Sequence, residues 1–454
     1  MIQPHLLDGL YPHQVPYARS GTLDPAKETC WTAARRTGKT RTAARKKFFR
    51  ALDGHDQVIT SVSKRQAMIL KPYMQQISKQ EFGVDLTGND EIPIHTSKGT
   101  AMIRFCTPNE SLIQGYDGDF TYDECGWSKN FEKVNDAAKQ CAGQDRFIRD
   151  YITTASTLAH PAYNLMNGLD RSGKAYPNTD ERGRILYQDE AVMRVCLSTT
   201  LPEAIKLGYD LFNWDHLVEE NPSHVIDQFY LLKWINDHDS FFKLKELQKL
   251  QRDPEELEAL LSPINDVLWG DDPSRNGDDA FLTGLQLNAR ENLFVKFKQL
   301  KLQKQTFKQQ AQQIAPLFLS NNSKFLGVDI DGIGVGVYDE LIDLGVTPEL
   351  GLKGLRNDPV AKSRRIVNLK QLTEAEGWRY ATDDIDLTSS LLAICQTTTD
   401  AGNKMTFKTK RSGSNHGDSG HSLIYALDDA LSLFNQRHLQ FQRATVNSNQ
   451  VNFS

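Results

Sequence analysis

Apolar positions along the chain alternate between two patterns. Short β-prone runs bounded by turn formers or charges are followed by longer stretches whose apolar residues recur at helical spacing. In the first half, "ETCWTAA" (28–34) predicts a buried strand and "TRTAARKKFFRAL" (40–52) a helix with Ala, Phe and Leu along one side. "DQVITSVS" (56–63) and "KRQAMILKPYMQQI" (64–77) repeat the strand-then-helix order, and the alternation continues to the strand in "GDFTYDECGW" (118–127). A further strand is expected at Tyr151–Thr154. Such alternation predicts a mostly parallel sheet between helices.

The second half reads differently. After a polar helical stretch, "VLWG" predicts a strand that runs into Asp271-Asp272, and "AFLTGLQL" the returning strand of a hairpin. "FVKFKQLKLQK" (294–304) predicts one or two strands with a basic face, and "TFKQQAQQIAPLF" (306–318) a helix. "FLGVD" is another buried strand ending in acid, and an apolar helix runs from Leu423 to Leu433. The pattern predicts an α/β chain with 1–205 as a first domain, 206–261 as a helical lid or linker, 262–435 as a second domain on a mixed sheet, and 436–454 as a flexible polar tail.

Composition changes little in this picture. With 454 residues, 39% hydrophobic and 24% charged, the chain is of soluble globular type. No apolar run is long enough for a membrane span, and the N-terminus lacks signal-peptide order. Six scattered cysteines without a C-x-x-C pair suggest neither a zinc cluster nor a disulfide framework. These features predict a reduced, cytoplasmic setting. The net charge of −5 says little about nucleic acid, because a binding groove can be basic in an acidic protein. Lys and Arg cluster at 35–50, 296–308 and 404–411, runs that individually read most simply as solvated faces.

Chemistry concentrates at strand ends. Between the first strand and helix lies "AARRTGKT" (33–40), a phosphate-loop sequence with Ala33 in place of the usual first glycine. Backbone N–H groups and a helix N-terminus there would face an anion. In that frame Thr37 and Gly38 line the loop, Lys39 reaches the β and γ phosphates of ATP, and Thr40 coordinates Mg2+. Asp123 at a later strand end would hold the same ion while Glu124 polarises the attacking water. Thr154, Ser156 and Thr157 end a neighbouring strand and suit a relay that senses the γ-phosphate; a Ser/Thr turn is the plain alternative. Gln14, in "LYPHQVPY", stands where many such ATPases read the adenine edge.

"GIGVGV" (332–337) invites a dinucleotide reading, which fails for want of the third spaced glycine and a β-α-β continuation; the glycines fit close packing beside a metal site instead. Acids at two strand ends, Asp271-Asp272 and Asp329, and Asp418 beside His416 before a late helix, form the pattern of a ribonuclease-H-like site. Two hard divalent ions ~4 Å apart would there activate water and stabilise a leaving oxygen.

In order of parts the chain resembles the large terminase subunit of tailed bacteriophages over nearly its whole length. "AARRTGKT", "QGYDGDFTYDECGW" and "TTASTLAHPAYNLMNG" are similar to that family's phosphate loop, acidic motif and coupling motif; "WGDDPS", "GVDIDGIGVGV" and "HGD" resemble its nuclease motifs. The resemblance implies an N-terminal P-loop ATPase domain joined to a ribonuclease-H-like nuclease domain. It points to Asp272, Asp329 and Asp418 as ligands of Mg2+ or Mn2+, with Asp271 the alternative to Asp272. It puts Arg35 at the position of the family's basic loop residue, a candidate finger on γ-phosphate charge; Arg36 is expected to support the loop or face DNA, and 45–47 to begin the solvated or DNA-facing side of the helix. It further implies ATP-driven packaging of double-stranded DNA into a procapsid and cutting of concatemers. The implied partners are a portal protein, a small terminase subunit and further copies in a ring, in the host cytoplasm. A cellular helicase-nuclease and a non-catalytic nucleotide-binding scaffold are the competing readings; the first lacks a second motor domain, the second is disfavoured by intact Lys39, Thr40, Asp123 and Glu124.

Overall fold

In a computed structural model the described residues are 3–274, 280–302, 305–331, 334–398, 405–409 and 419–428. Two compact units divide the chain, one of residues 1–214 and 225–236, the other of 215–224 and 237–454. The stretch 206–261, expected as a linker, is thus divided between them. The tail 436–454 lies outside the described residues.

The first unit is built on eight strands: β1 Glu28–Ala33, β2 Gln57–Thr60, β3 Glu91–Thr96, β4 Gly99–Cys106, β5 Asp119–Tyr122, β6 Arg149–Thr153, β7 Ile185–Leu186 and β8 Val192–Thr199. Their order is β3-β4-β2-β5-β6-β1-β8-β7. The six strands from β4 to β8 pair in parallel, and the edge strands β3 and β7 are antiparallel. The central strands are buried on both faces, as a parallel sheet between helices requires. The β3–β4 hairpin departs from the β-α alternation expected through this stretch.

Helix α1, Lys39–Leu52, follows β1 and packs Ala43, Ala44, Phe48 and Phe49 into the core. The helix expected over 64–77 is broken into Lys64–Ala67 and α2, Leu70–Ile77. Pro72 accounts for the break, since its ring conflicts with the carbonyl four residues back, at Met68, and it offers no N–H.

The basic run 45–47, expected on a solvated or DNA-facing side of α1, is buried instead. Lys46 and Lys47 both reach the fully buried carboxylate of Asp150 on β6, at 3.0 and 2.9 Å, and Tyr17 donates its hydroxyl to it at 3.1 Å. Arg45 is buried too and pairs with Glu81. Burial, only partly offset by Asp150, lowers the Lys46 ammonium to about 8. Asp150→Asn would leave two buried ammonium groups without their counter-charge. We expect a loss of about 3–5 kcal/mol, measured as a fall in the urea midpoint; a change below about 1 kcal/mol would show that water reaches these lysines.

The second unit carries a seven-stranded sheet: β9 Gln251–Arg252, β10 Asp266–Asp272, β11 Ala280–Asn288, β12 Leu293–Leu302, β13 Ser323–Asp329, β14 Leu352–Leu355 and β15 Trp378–Ala381. Their order is β14-β13-β10-β11-β12-β15-β9. β10, β11 and β12 form an antiparallel meander, while β13 and β14 add in parallel on the other side of β10. The lysine-rich segment is one strand with a bulge: Lys298 opposes Gly284 and Lys296 opposes Leu285, leaving Phe297 unpaired. A bulge changes the phase of the strand, so the lysines do not share one continuous face. Lys296 is buried and paired with Asp384.

Helix α3, Phe307–Ser320, starts at a capping box between Thr306 and Gln309. It packs with α4, Val335–Asp343, over one face of the sheet, around Trp269, Val328 and Leu341. Gly336 permits that packing, since a Cβ there would sit 2.4 Å from the Phe307 ring. Helix α5, Pro359–Glu374, follows β14, and α6, Ser419–Ala426, lies across β10 and β11. A small hairpin, β16 Ile394–Thr398 with β17 Met405–Thr409, completes the described part. Among the described residues no helix is long and apolar enough to cross a membrane.

Candidate functional site

In the first unit the loop between β1 and α1 is shaped by its backbone. Ala33 ends β1 in register with Thr199, so the missing glycine imposes no unusual backbone there. Arg36 and Gly38 have φ of +66° and +78°, with Thr37 between them. Such alternation turns successive N–H groups to one side, the geometry of an anion nest, at the start of α1. Gly38 is required twice over: its φ disfavours a side chain, and a Cβ would lie 2.5 Å from the Gln14 amide.

Neighbours hold the loop in place. Thr37 donates its hydroxyl to the Ala34 carbonyl at 2.7 Å, and its own carbonyl is bonded to Gln14 Nε2 at 2.8 Å and His13 Nε2 at 2.9 Å. The Gln14 Oε1 accepts from the Tyr11 N–H at 3.1 Å. The amide expected to read a base edge is therefore brought to the loop, with both its ends bonded within the protein. Tyr209 donates to the Arg36 carbonyl at 2.6 Å. Arg35 lays its guanidinium over the Phe229 ring, 3.6 Å from the centroid, and its N–H donates to the Phe229 carbonyl. Arg36 is exposed, 5.3 Å from the Phe212 ring.

β6 lies between β1 and β5, so its end meets both loop and acids. Lys39 donates to Glu124 Oε1. Glu124 Oε2 accepts from both the N–H and the hydroxyl of Thr154, each at 3.1 Å, and Trp127 Nε1 donates to the same hydroxyl at 3.0 Å. Glu124 itself has φ +50°, a left-handed conformation uncommon outside glycine. Burial would raise its pKa, but the Lys39 charge and these hydrogen bonds, with Arg35 beyond, bring it below the ordinary value. Asp123 beside it goes the other way: burial first, then the Glu124 charge, raises it to about 7. Its Oδ1 is buried with no hydrogen-bond partner. Two adjacent carboxyls are thus driven apart in acidity, the arrangement by which one site assigns separate roles to two acids. The Ser156 hydroxyl is also buried and unbonded, near Gly126.

In the second unit β10 and β13 bring two acids to adjacent strand ends. Gly270 faces α6 so closely that a Cβ would lie 2.1 Å from the Ser422 carbonyl. Strand alternation puts Asp272 on that same face and Asp271 on the other. Asp329 is bonded to Tyr425 of α6 at 2.9 Å, so it joins Asp272. Burial first, and then the charges of Asp272 and Asp329, push the Tyr425 phenol well above its usual range, keeping it a donor. Asp271 is fully buried with both oxygens unbonded; burial, with Asp329 second, raises it to about 8. The third expected acid, Asp418, and His416 with it, lie outside the described residues. Among the described residues no three acids, histidines or cysteines gather as a metal cluster.

Sequence reasoning had no signal for Phe229 beneath Arg35, Tyr209 on the loop, or Tyr425 and Asn357 on Asp329, because each partner is distant in the chain and ordinary in its local pattern.

A phosphate loop facing a strand-end acid pair, and a β12-β11-β10-β13-β14 sheet with acids at the ends of β10 and β13, define a P-loop ATPase fold joined to a ribonuclease-H-like fold. Residues 30–249 match the family model described as terminase large subunit, T4likevirus-type, N-terminal, and residues 269–429 match the terminase RNaseH-like domain. The chain belongs to the large terminase subunits of phages. It is 28% identical over 397 residues to the probable terminase ATPase subunit of Haemophilus phage HP1, covering 83% of this chain and 63% of that protein. To the terminase ATPase subunit of Escherichia phage P2 it is 29% identical over 415 residues, covering 87% and 68%. The chain therefore spans about two thirds of the length of these relatives. The solved large terminase of a thermophilic bacteriophage is a more distant likeness, with 12% identity and a TM-score of 0.43 over 94% of this chain and 99% of that one.

Proposed function

We propose that this protein is the ATP-driven motor that packages double-stranded phage DNA into a procapsid, and that its second unit cuts concatemeric DNA. The observation that carries the reading is the grip on Glu124: the loop lysine holds one carboxylate oxygen and the end of the intervening strand holds the other.

In this reading the loop N–H groups and Lys39 receive the phosphates of ATP. Lys39, leaving Glu124 for the phosphate, frees an oxygen that can orient and polarise the attacking water. Thr154 keeps the carboxylate aimed and reports its movement along β6, with Ser156 next in that relay. Thr40 and Asp123 would hold Mg2+; the unbonded Oδ1 of Asp123 fits such a role. The ion would supply charge neutralisation at the β and γ phosphates. Gln14 orders the loop through Thr37 and could read the adenine edge only by turning from that bond.

In the second unit Asp272 and Asp329, with Asp418, would hold Mg2+ or Mn2+, which supplies water activation in phosphodiester hydrolysis. An all-carboxylate set suits those hard ions. A portal protein, a small terminase subunit and a ring of further copies are the proposed partners, on the procapsid in the host cytoplasm. The test is one preparation of the full chain assayed for DNA-stimulated ATP hydrolysis and for plasmid cutting with Mg2+ or Mn2+; absence of both activities would sink the reading.

Arg35 and Arg36 part company. Arg35→Ala is expected to lower kcat for ATP by about 10^3-fold, the scale of a lost arginine finger, with a small change in KM. Arg36→Ala should turn over within about threefold of the parent. Steady-state kinetics would decide it, and the reverse ranking would transfer the role to Arg36.

A further inference from the structure

Asp329 is fixed by hydrogen bonds from three separate segments. Its Oδ1 accepts from the Asp331 N–H at 2.9 Å, and its Oδ2 accepts from Asn357 Nδ2 at 2.7 Å and from the Tyr425 hydroxyl at 2.9 Å. Asn357, between β14 and α5, also donates to the Tyr425 oxygen at 2.6 Å. Its Oδ1 accepts from Arg365 Nη1 at 2.7 Å. Arg365 has no acceptor, so that contact fixes which way the amide points.

Arg365 is itself anchored. It is buried on α5, donates through Nε to Asp428 at 2.6 Å and through Nη1 to the Arg356 carbonyl at 2.8 Å. Asp428, just past α6, is buried too and also meets Lys353 and Arg364. The chain of contacts Asp428–Arg365–Asn357–Asp329 therefore ties α6, α5 and β13 together at the acid.

We propose that Asn357 is a positioning residue for Asp329, braced by Arg365 on Asp428 and assisted by Tyr425. The proposal rests on the reading of Asp329 as a metal ligand. A carboxylate offers about four acceptor positions. Three are occupied by these donors, which leaves one, on Oδ1, presented in a fixed direction. Without Asn357 the carboxylate loses part of its orientation, and Arg365 loses a buried acceptor. Outer partners of this kind typically change metal affinity by roughly 10–100-fold when removed.

The experiment is Mn2+ titration of the full chain by calorimetry without nucleotide, with Asp329→Asn defining binding elsewhere in the chain. Asn357→Ala should weaken the Asp329-dependent binding at least about tenfold, while ATP hydrolysis in the first unit stays at the parental rate. Tyr425→Phe, which keeps the ring, should weaken it in the same direction and carries the test if Asn357→Ala does not fold. A merely structural role would lower the unfolding temperature of the metal-free protein and leave Mn2+ affinity at the parental value. Parental affinity in both variants, with binding lost in Asp329→Asn, would overturn the positioning role alone. Parental affinity in Asp329→Asn would overturn the metal assignment together with it.

Discussion

Lys39→Ala is expected to abolish measurable ATP hydrolysis while metal-dependent DNA cutting continues. The lysine begins α1 at the phosphate loop and its ammonium already touches Glu124. Its removal takes away the charge that would meet the phosphates, and losses of one preorganised charge or donor run to roughly 10^2–10^3-fold. A second effect adds to this. The Lys39 charge offsets the burial of Glu124, so its loss raises the pKa of that carboxyl and favours the protonated form, which cannot accept a proton from water. Parallel assays of phosphate release and plasmid cutting would check it. Equal loss of both activities would mean that the two sites are not chemically independent.

Asp272→Asn is expected to remove DNA cutting by about 10^2-fold or more, again on the scale of a lost electrostatic element, with ATP turnover retained. Asp271→Asn should keep most of the cutting. The two neighbours occupy opposite faces of β10. Gly270 presses on α6, so alternation turns Asp272 toward Tyr425 and Asp329. Asp271 opposes Val328 in the parallel ladder, and Val328 belongs to the core beneath α3 and α4. Plasmid cleavage by the two variants decides between them; the opposite ranking would put the ions on the other face.

Much of this was legible because it is local. Ala, Phe and Leu spacing in 40–52 fixes a helix, and the glycine at position 38 next to Lys39 marks where it starts. The acids at 123–124, 271–272 and 329 stand at the ends of β-prone runs, and strand ends can be read from a short window. The break at 68–69, the bulge at Phe297 and the burial of 45–47 were not legible in the same way. Pro72 sits inside a convincing helical period that outweighs it. The bulge depends on how β12 meets β11, and the lysines depend on a carboxylate on β6, remote in sequence.

The sequence by itself determined the order of elements, the phosphate loop and the strand-end acids, since hydrophobic period, turn chemistry and residue type act over a few positions. Only the tertiary structure decided that β6 lies between β1 and β5, which gives Thr154 its hold on Glu124. It likewise decided that Asp272 rather than Asp271 shares a face with Asp329, and that Asn357 and Tyr425 bind the same carboxylate oxygen. Those outcomes depend on strand order, register and burial, quantities set by the packing of distant segments and carried by no short stretch of chain.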